Sequence, residues 1–169
     1  NPSVTVLADG GYLVTWRSLV QAPDSSSYGI FAQRYDAWGN TVGAEFLVNT
    51  YVTGIQQLSA VAALADGGFV VTWQSNLQDG DSYGIYAQRY DAGGNAAGAE
   101  FRVNTYTTTS QEASSVAALA DGGFVVSWMS NGQDGSGDGV HAPRYYASGS
   151  ARGAEFRVNT TTTNWQYAH

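Results

Sequence analysis

Two loops of the sequence place aspartates close together around glycines. Residues 79–81 read Asp-Gly-Asp, and residues 134–138 read Asp-Gly-Ser-Gly-Asp. A hard cation such as Ca²⁺ binds several oxygens from a tight loop of this kind, although neither loop has the closing glutamate of an EF-hand. We therefore predict calcium sites at Asp79 with Asp81 and at Asp134 with Asp138. A solvated Asp-Gly turn is the alternative interpretation.

Aromatic and amide side chains in the polar connections suit a second ligand, carbohydrate. Sugar hydroxyls hydrogen-bond to Asn and Gln, and the C–H faces of a sugar lie on Trp or Tyr rings. The candidate ligand-binding residues are Tyr51, Tyr106, Trp165, Gln21, Gln78, Gln133, Asn76 and Asn131. Tyr167 shares the connection of Trp165, whereas Trp38 is expected to be exposed in a turn at the opposite end. The alternative is that these aromatics only cover the ends of the sheets.

Catalytic patterns are sparse in this sequence. His141 and His169 are the only histidines, and neither recurs in the repeats described below. The absence of cysteine excludes disulfides, thiol catalysis and Cys-ligated zinc. No phosphate-binding GxxxxGK[ST] loop is present, and the chain has no lysine to complete one. The sequence therefore predicts a protein that is not an enzyme.

Three copies of one unit carry these loops. Leu-Ala-Asp-Gly-Gly begins at residues 7, 64 and 119, and Val-Asn-Thr begins at residues 48, 103 and 158. Segments 28–50 and 83–105 are identical at 18 of 23 positions. We predict a single domain, residues 1–169, built of three repeats at about 1–57, 58–112 and 113–169.

The apolar pattern inside each repeat is that of strands. In the second repeat we predict strands at 61–64, 69–74, 83–91 and 100–105, separated by glycine-rich turn signals. Four consecutive antiparallel strands are typical of a propeller blade. The predicted fold is all-β, with three four-stranded antiparallel repeat units arranged as β-propeller blades. A β-trefoil or β-prism closed within one chain is the alternative. Because propellers carry about 4–8 blades, we also predict a homo-oligomer, in which two chains complete a six-bladed ring.

Some recurring residues are candidates for structural roles. Trp16, Trp73 and Trp128 lie on one face of the second strand. We predict that they pack in the core with the indole N–H bonded to a backbone carbonyl, and sugar stacking is the alternative. The recurring arginines and glutamates predict an ion pair in each repeat, or hydrogen bonds from glutamate to a turn; they are Arg34, Arg89, Arg144, Glu45, Glu100 and Glu155.

The net charge excludes some classes of binding partner, and the positions of the loops indicate where a ligand would bind. Fourteen acidic residues against seven arginines give a net charge of −7, which argues against nucleic acid and anionic lipid. No apolar run approaches the roughly 18 residues of a membrane span, so no membrane insertion is expected.

In a meander, the loop between strands two and three lies at the same end as the connection to the next repeat. We expect any ligand at this long, polar end. Because the chain does not begin with Met, we expect a processed product or part of a longer chain.

Residues 64–105 contain Leu-Ala-Asp-Gly-Gly-Phe-Val-Val-Thr-Trp-Gln-Ser, Tyr-Gly-Ile-Tyr-Ala-Gln-Arg-Tyr-Asp and Gly-Ala-Glu-Phe-Arg-Val-Asn-Thr. This pattern resembles the tandem repeats of large secreted bacterial calcium-binding (RTX-type) proteins and adhesins. The resemblance implies a secreted or cell-surface module for binding or adhesion. The predicted propeller fold is similar to that of lectins that assemble rings from short multi-blade chains, and this similarity is one of fold only. The third repeat departs from the pattern at Pro143, Tyr146 and Ser148.

These observations lead to three hypotheses about function. The first is a non-enzymatic, lectin-like module that binds glycans or cell-surface polysaccharide at multivalent sites between repeats. The second is a Ca²⁺-stabilised structural or adhesin segment that binds no sugar. The third is a fragment of a secreted polysaccharide hydrolase.

Overall fold

The chain folds into strands alone over the part that can be described. A computed structural model describes residues 2–166, apart from the side chains of residues 25 and 26, so Tyr167 and His169 lie outside the described residues. The described residues form thirteen β-strands and no helix, which confirms the all-β prediction. Among them there is consequently no helix long and apolar enough to span a membrane.

The strands form three antiparallel sheets, one for each repeat. Sheet 1 contains β1 (Ser3–Val6), β2 (Tyr12–Gln21), β3 (Asp24–Tyr35) and β4 (Thr41–Leu47). Sheet 2 contains β5 (Gln56–Ala63), β6 (Phe69–Asn76), β7 (Tyr83–Tyr90) and β8 (Phe101–Arg102). Sheet 3 contains β9 (Gln111–Ala118), β10 (Phe124–Asn131), β11 (Asp138–Ala142), β12 (Arg144–Tyr145) and β13 (Phe156–Arg157).

Three local features differ from the predicted strands. β8 covers only Phe101–Arg102, whereas a strand was predicted over residues 100–105. β5 begins at Gln56, before the predicted residue 61, because a left-handed Leu58 (φ 53°) and a bulge between Gln57 and Ala60 interrupt the alternation that sequence patterns detect. In sheet 3, Pro143 divides the third strand into β11 and β12, and each of these two strands pairs with β10. Proline has no N–H to donate to the ladder, so sheet 3 has five strands where four were predicted.

The Asp-Gly-Gly turn explains how the first two strands of each sheet are joined. Gly10 adopts a left-handed conformation (φ 82°) that suits glycine. The Asp9 carboxylate accepts a hydrogen bond from the N–H of Gly11 (2.9 Å). A Cβ at Gly11 would overlap the carbonyl oxygen of Tyr35, so the second glycine gives the third strand room to pair. The same contacts recur in sheets 2 and 3.

The sheets pack one on the next through two separate cores. The first core joins sheets 1 and 2 and includes Leu13, Ile30, Val48, Phe69, Val71 and Trp73. The second joins sheets 2 and 3 and includes Leu64, Val70, Ile85, Phe124, Val126 and Trp128. Sheet 2 is therefore buried on both faces. Neither core joins sheet 3 to sheet 1, in contrast to the trefoil or prism alternative, in which the three units close on themselves.

The first strands of the sheets lie side by side. β5 contacts both β1 and β9, whereas the fourth strands of neighbouring sheets make no comparable contact among the described residues. The sheets therefore fan outward from their first strands.

The recurring tryptophans and arginines are structural. Trp73 and Trp128 are fully buried, which confirms core packing, whereas Trp16 is half-buried on the open face of sheet 1. The predicted hydrogen bond to a carbonyl is wrong, because neither buried indole N–H has a partner. The predicted Arg–Glu pair is wrong as well: Arg34 and Arg89 pair with Asp9 and Asp66 of the turns (3.3 and 3.2 Å). In sheet 3, Arg152 pairs with the turn residue Asp121.

Candidate functional site

A groove opens between sheets 2 and 3 at the end of the long polar loops. Its volume is about 480 Å³. The loop before β7, the connection between β8 and β9, the ends of β10 and β11 and the C-terminal segment all contribute. The lining residues are Asp81, Ser82, Thr109, Ser110, Glu112, Met129, Asn131, Asp138 and Trp165. The groove therefore lies at the end where the sequence predicts a ligand.

Hydrogen bonds between the loops hold the groove open without a ligand. The N–H of Thr109 donates to Oδ2 of Asp81 (2.9 Å), and its hydroxyl donates to the carbonyl of Asn131 (2.6 Å). The Asn131 amide donates to Oδ1 of Asp138 (2.9 Å). The hydroxyl oxygens of Ser82 and Ser110 are 2.6 Å apart. These contacts fix Asp81, Asp138 and Asn131 in place.

The acidic residues of the groove are departures from the repeat. Asp81 corresponds to serine in the other two copies, at residues 26 and 136. Asp138 corresponds to tyrosine, at residues 28 and 83, and Glu112 corresponds to Gln57. Three carboxylates thus line one groove at positions where the sequence departs from its own repeat.

The apolar residues of the groove depart from the pattern in the same way. Trp165 corresponds to Ile55 and Ser110, and Met129 corresponds to Arg17 and Gln74. The Trp165 ring packs near Gly137, where a Cβ would lie 3.3 Å from the ring, and the residue remains 58% exposed. An exposed indole beside three carboxylates and several hydroxyls offers both an apolar platform and hydrogen-bonding groups.

The predictions found part of this groove. Trp165 and Asn131 from the predicted ligand-binding set line it, and so do Asp81 and Asp138 from the predicted metal set. Glu112 and Met129 were missed. Glu112 lies in β9 and Met129 lies in β10, whereas the predicted binding residues were sought in loops. Their departure from the repeat is the signal that would have identified them.

The recurring glutamines Gln21, Gln78 and Gln133 serve a different contact, which we name the inter-sheet clasp. Gln78 donates to Oε1 of Glu100 (2.6 Å), and Oε2 of Glu100 accepts from the N–H and hydroxyl of Thr50 in sheet 1 (2.6 and 3.0 Å). Gln133, Glu155 and Thr105 repeat the clasp between sheets 3 and 2. Gln21 donates to Glu45 in sheet 1. Each glutamate therefore accepts hydrogen bonds from residues in or beside the loops, in line with the second of the two predicted alternatives.

The remaining predicted ligand-binding residues lie outside the groove lining. Tyr51 and Tyr106 offer their carbonyls to the amides of Asn49 and Asn104 (2.9 and 2.8 Å). Asn76 donates to the carbonyl of Ser82 (3.3 Å). Their main described contacts tie the connections to the sheets.

The predicted calcium ligands point to separate partners. Oδ2 of Asp79 lies over Gly84 and accepts from Asn104 (3.3 Å), while Asp81 binds Thr109. Asp134 accepts from the N–H of Ser136 (3.3 Å), and Asp138 binds Asn131. The described part of the chain contains no group of three or more His, Cys, Asp or Glu residues placed to hold a metal ion. Calcium binding stays a prediction.

A buried histidine lies in sheet 3, outside the groove lining. His141 replaces the aromatic residues Phe31 and Tyr86 of the other sheets, and its Nδ1 is 3.6 Å from Oε1 of Glu155. Burial lowers the pKa of His141 from its ordinary value of 6.5, and the charges of Glu155 and Asp134 oppose this shift. The imidazole is therefore held in its neutral form more strongly than in an unfolded chain.

The fold is similar to that of two arabinan-degrading enzymes. An endo-arabinase from Bacteroides thetaiotaomicron VPI-5482 matches over 97% of this chain and 57% of its own, with a TM-score of 0.55 and 14% identity. An endo-1,5-alpha-L-arabinanase from Thermotoga petrophila RKU-1 matches over 95% of this chain and 43% of its own, with a TM-score of 0.55 and 13% identity. No protein-family model and no curated protein sequence matches the chain. The chain thus shares a fold with these structures and spans about half of their length.

Proposed function

We propose that the groove between sheets 2 and 3 binds carbohydrate, and that the protein is a non-enzymatic carbohydrate-binding module whose sheets are propeller blades. The observation that carries this proposal is the convergence of Asp81, Glu112, Asp138 and Trp165, all of which break the repeat, in one groove. The fan of sheets from neighbouring first strands and the likeness to the arabinanases support the blade arrangement.

The chemistry of the lining suits a polyhydroxylated ligand. Carboxylate and amide oxygens accept hydrogen bonds from sugar hydroxyls, and the side chains of Ser82, Ser110 and Asn131 can donate as well. The exposed Trp165 ring offers a flat apolar face for sugar C–H groups. The volume is within the range of about 300–1,000 Å³ that is usual for small-molecule sites.

This proposal concentrates binding at one junction. The equivalent positions between sheets 1 and 2 hold Gln57, Asn76 and Tyr83, none of which is acidic. We therefore propose one dominant site in place of three equivalent ones.

Calorimetric titration with soluble arabinan, followed by a panel of other polysaccharides, tests the proposal. Trp165→Ala should weaken binding about 5-fold or more, because stacking on an aromatic ring contributes on the order of 1 kcal/mol. The matched control is Trp38→Ala, since Trp38 is 87% exposed in a turn at the opposite end. Absence of binding at millimolar sugar, or equal loss in both variants, would contradict the proposal.

Hydrolysis of a polysaccharide is a second candidate, favoured by the three carboxylates in one groove. Glycoside hydrolases use a pair of carboxylates, one as general acid and one as base or nucleophile. Release of reducing ends from arabinan measures this activity. Turnover that Glu112→Gln abolishes would establish an enzyme and overturn the non-enzymatic proposal.

Secretion, the RTX-type relationship and calcium binding are parts of the proposal that rest on the sequence pattern alone. They fit a module that acts on glycans outside the cell.

A further inference from the structure

The groove between sheets 2 and 3 carries a net negative charge. Asp81, Glu112 and Asp138 line it, and each stands where the other copies of the repeat have an uncharged residue. None of the described lining residues is basic. Because aspartate and glutamate side chains are negatively charged at neutral pH, the groove concentrates three negative charges in about 480 Å³.

The aspartates at the opposite end of the sheets are neutralised in a way that the groove carboxylates are not. Asp9, Asp66 and Asp121 of the Asp-Gly-Gly turns each pair with an arginine. Over the described part of the chain, no ion pair includes a carboxylate of the groove. Like charges without a counter-charge repel one another, and they attract a cation.

Several carboxylate oxygens of the groove are available to a ligand. Oδ2 of Asp81 accepts from Thr109, and Oδ1 of Asp138 accepts from Asn131. The other oxygen of each aspartate accepts no hydrogen bond from a described residue, and neither oxygen of Glu112 does. These oxygens can therefore accept hydrogen bonds from a ligand without breaking a contact of the fold.

The carboxylates are spread along the groove. In sheet 3, Glu112 lies opposite Met129 on one side of β10, and Asp138 lies opposite Asn131 on the other side. Two strand spacings therefore separate Glu112 from Asp138, about 10 Å, which is comparable to the length of a disaccharide. A metal ion needs oxygens that converge on one point. The spread of charge thus suits an extended organic cation better than a bare ion.

The Trp165 ring suits the rest of such a ligand. An indole face attracts both a cation and the C–H face of a sugar. Trp165 is 58% exposed at the same groove, together with the hydroxyls of Ser82 and Ser110. The lining therefore combines groups that recognise ammonium, hydroxyl and C–H surfaces.

We propose that the ligand of the groove is an amine-bearing carbohydrate, an oligomer of amino sugars whose ammonium groups bind Asp81, Glu112 and Asp138. This inference rests on the proposed carbohydrate-binding function and names the class of ligand. The sugar rings lie on Trp165, and their hydroxyls bond to the serines and to Asn131. Because the carboxylates lie near solvent, salt screens their attraction for the amines.

Calorimetric titration with two hexasaccharides tests the proposal, one of glucosamine and one of N-acetylglucosamine with the same linkage. At mildly acidic pH the amines of the first are protonated, whereas acetylation removes this charge from the second. The glucosamine hexamer should bind about 10-fold more tightly or better, because hydrogen bonds between charged groups are stronger than neutral ones. Added salt should reduce this preference.

Two variants with the same change in net charge locate the effect. Glu112→Gln should weaken binding of the glucosamine hexamer about 10-fold, and that of the acetylated hexamer less. Glu45→Gln is the matched control, because Glu45 is an exposed residue of sheet 1 outside the groove lining, and it should keep the wild-type preference. Trp165→Ala should weaken both hexamers alike, since it removes the platform and no charge.

The outcomes separate this inference from the function on which it rests. Equal affinity for the two hexamers, or equal effects of Glu112→Gln and Glu45→Gln, would overturn the inference, and binding of a neutral polysaccharide would then still support the proposed function. Hexalysine that binds more tightly than the glucosamine hexamer would identify a basic peptide as the ligand and overturn it as well. If no saccharide binds, the proposed function and the inference both fail.

Discussion

The two junctions between sheets share one scaffold and differ in what they present at the loop end. Both contain a buried tryptophan, a Phe–Tyr contact and an inter-sheet clasp. Only the junction between sheets 2 and 3 adds Glu112, Asp138 and Trp165 to its groove. The residues that recur maintain the sheets, and those that depart from the repeat supply the candidate site. In a repeat protein, the break in the pattern is the more informative signal of function.

The largest expected effect comes from the shared scaffold. Trp73→Ala and Trp128→Ala should each lower the free energy of unfolding by about 3–5 kcal/mol, because both indoles are fully buried. Trp16→Ala should cost clearly less in a single chain, since the same position there lacks a covering sheet. Urea denaturation under dilute, monomeric conditions measures the three values. A cost for Trp16→Ala equal to the other two would contradict this account of the open face of sheet 1.

The clasp should contribute a smaller amount at each junction. Glu100→Ala removes the acceptor for Thr50 and Gln78 and should cost about 1 kcal/mol, the usual net value for hydrogen bonds near solvent. Glu45→Ala removes the acceptor for Gln21 and, among the described residues, no contact to a neighbouring sheet, so it should have little effect on the 169-residue chain. Chemical denaturation measures the free energy of unfolding of both variants. Equal losses of stability would contradict the clasp interpretation.

At the groove, changing a residue that departs from the repeat back to its repeat equivalent should weaken binding and leave the fold intact. Glu112→Gln should weaken carbohydrate binding about 10-fold, which corresponds to about 1.4 kcal/mol. Gln57→Ala, at the equivalent position of the other junction, should leave the affinity unchanged. Calorimetric titration compares them, and an equal loss in both would show that the two junctions bind alike.

Titration of His141 should make the stability of the protein depend on pH between about 7.5 and 5. Because burial lowers its pKa below the ordinary 6.5, the unfolded chain binds the proton more readily, and stability is lost as the pH falls below about 6.5. His141→Tyr restores the residue found at Tyr86 and should remove this part of the loss. Thermal unfolding between pH 7.5 and 5 compares the two proteins. Parallel curves would show that the histidine does not titrate with folding.

Calcium is expected to give the smallest effect, if it binds at the Asp loops as the sequence predicts. A ligand that binds only the folded state raises Tm, and the rise grows with the logarithm of the ligand concentration above Kd. Calcium chloride should raise Tm relative to chelator, and Asp134→Asn should reduce the rise. An unchanged Tm in both conditions would contradict the calcium prediction.

Most of the architecture could be predicted from the sequence because it depends on local signals. The Asp-Gly-Gly turns and the alternation around Phe69 and Trp73 define strands within each repeat. Contacts between repeats could not be predicted in the same way. The choice of Thr50 as the partner of Glu100 depends on how one sheet lies on the next, which no local pattern encodes. Glu112 was missed for a related reason: its place in the groove depends on β9 lying beside the β6–β7 loop of the preceding sheet.

The inter-sheet clasp has a consequence for how such chains can change in length. Each repeat carries both a threonine for its successor and a glutamate for its predecessor. A duplication or deletion of one whole repeat therefore joins the same threonine to the same glutamate, and no compensating substitution is needed at the new boundary. Genetic rearrangement in units of about one repeat should be tolerated by the scaffold, whereas a rearrangement that separates Asp81 from Asp138 would destroy the groove.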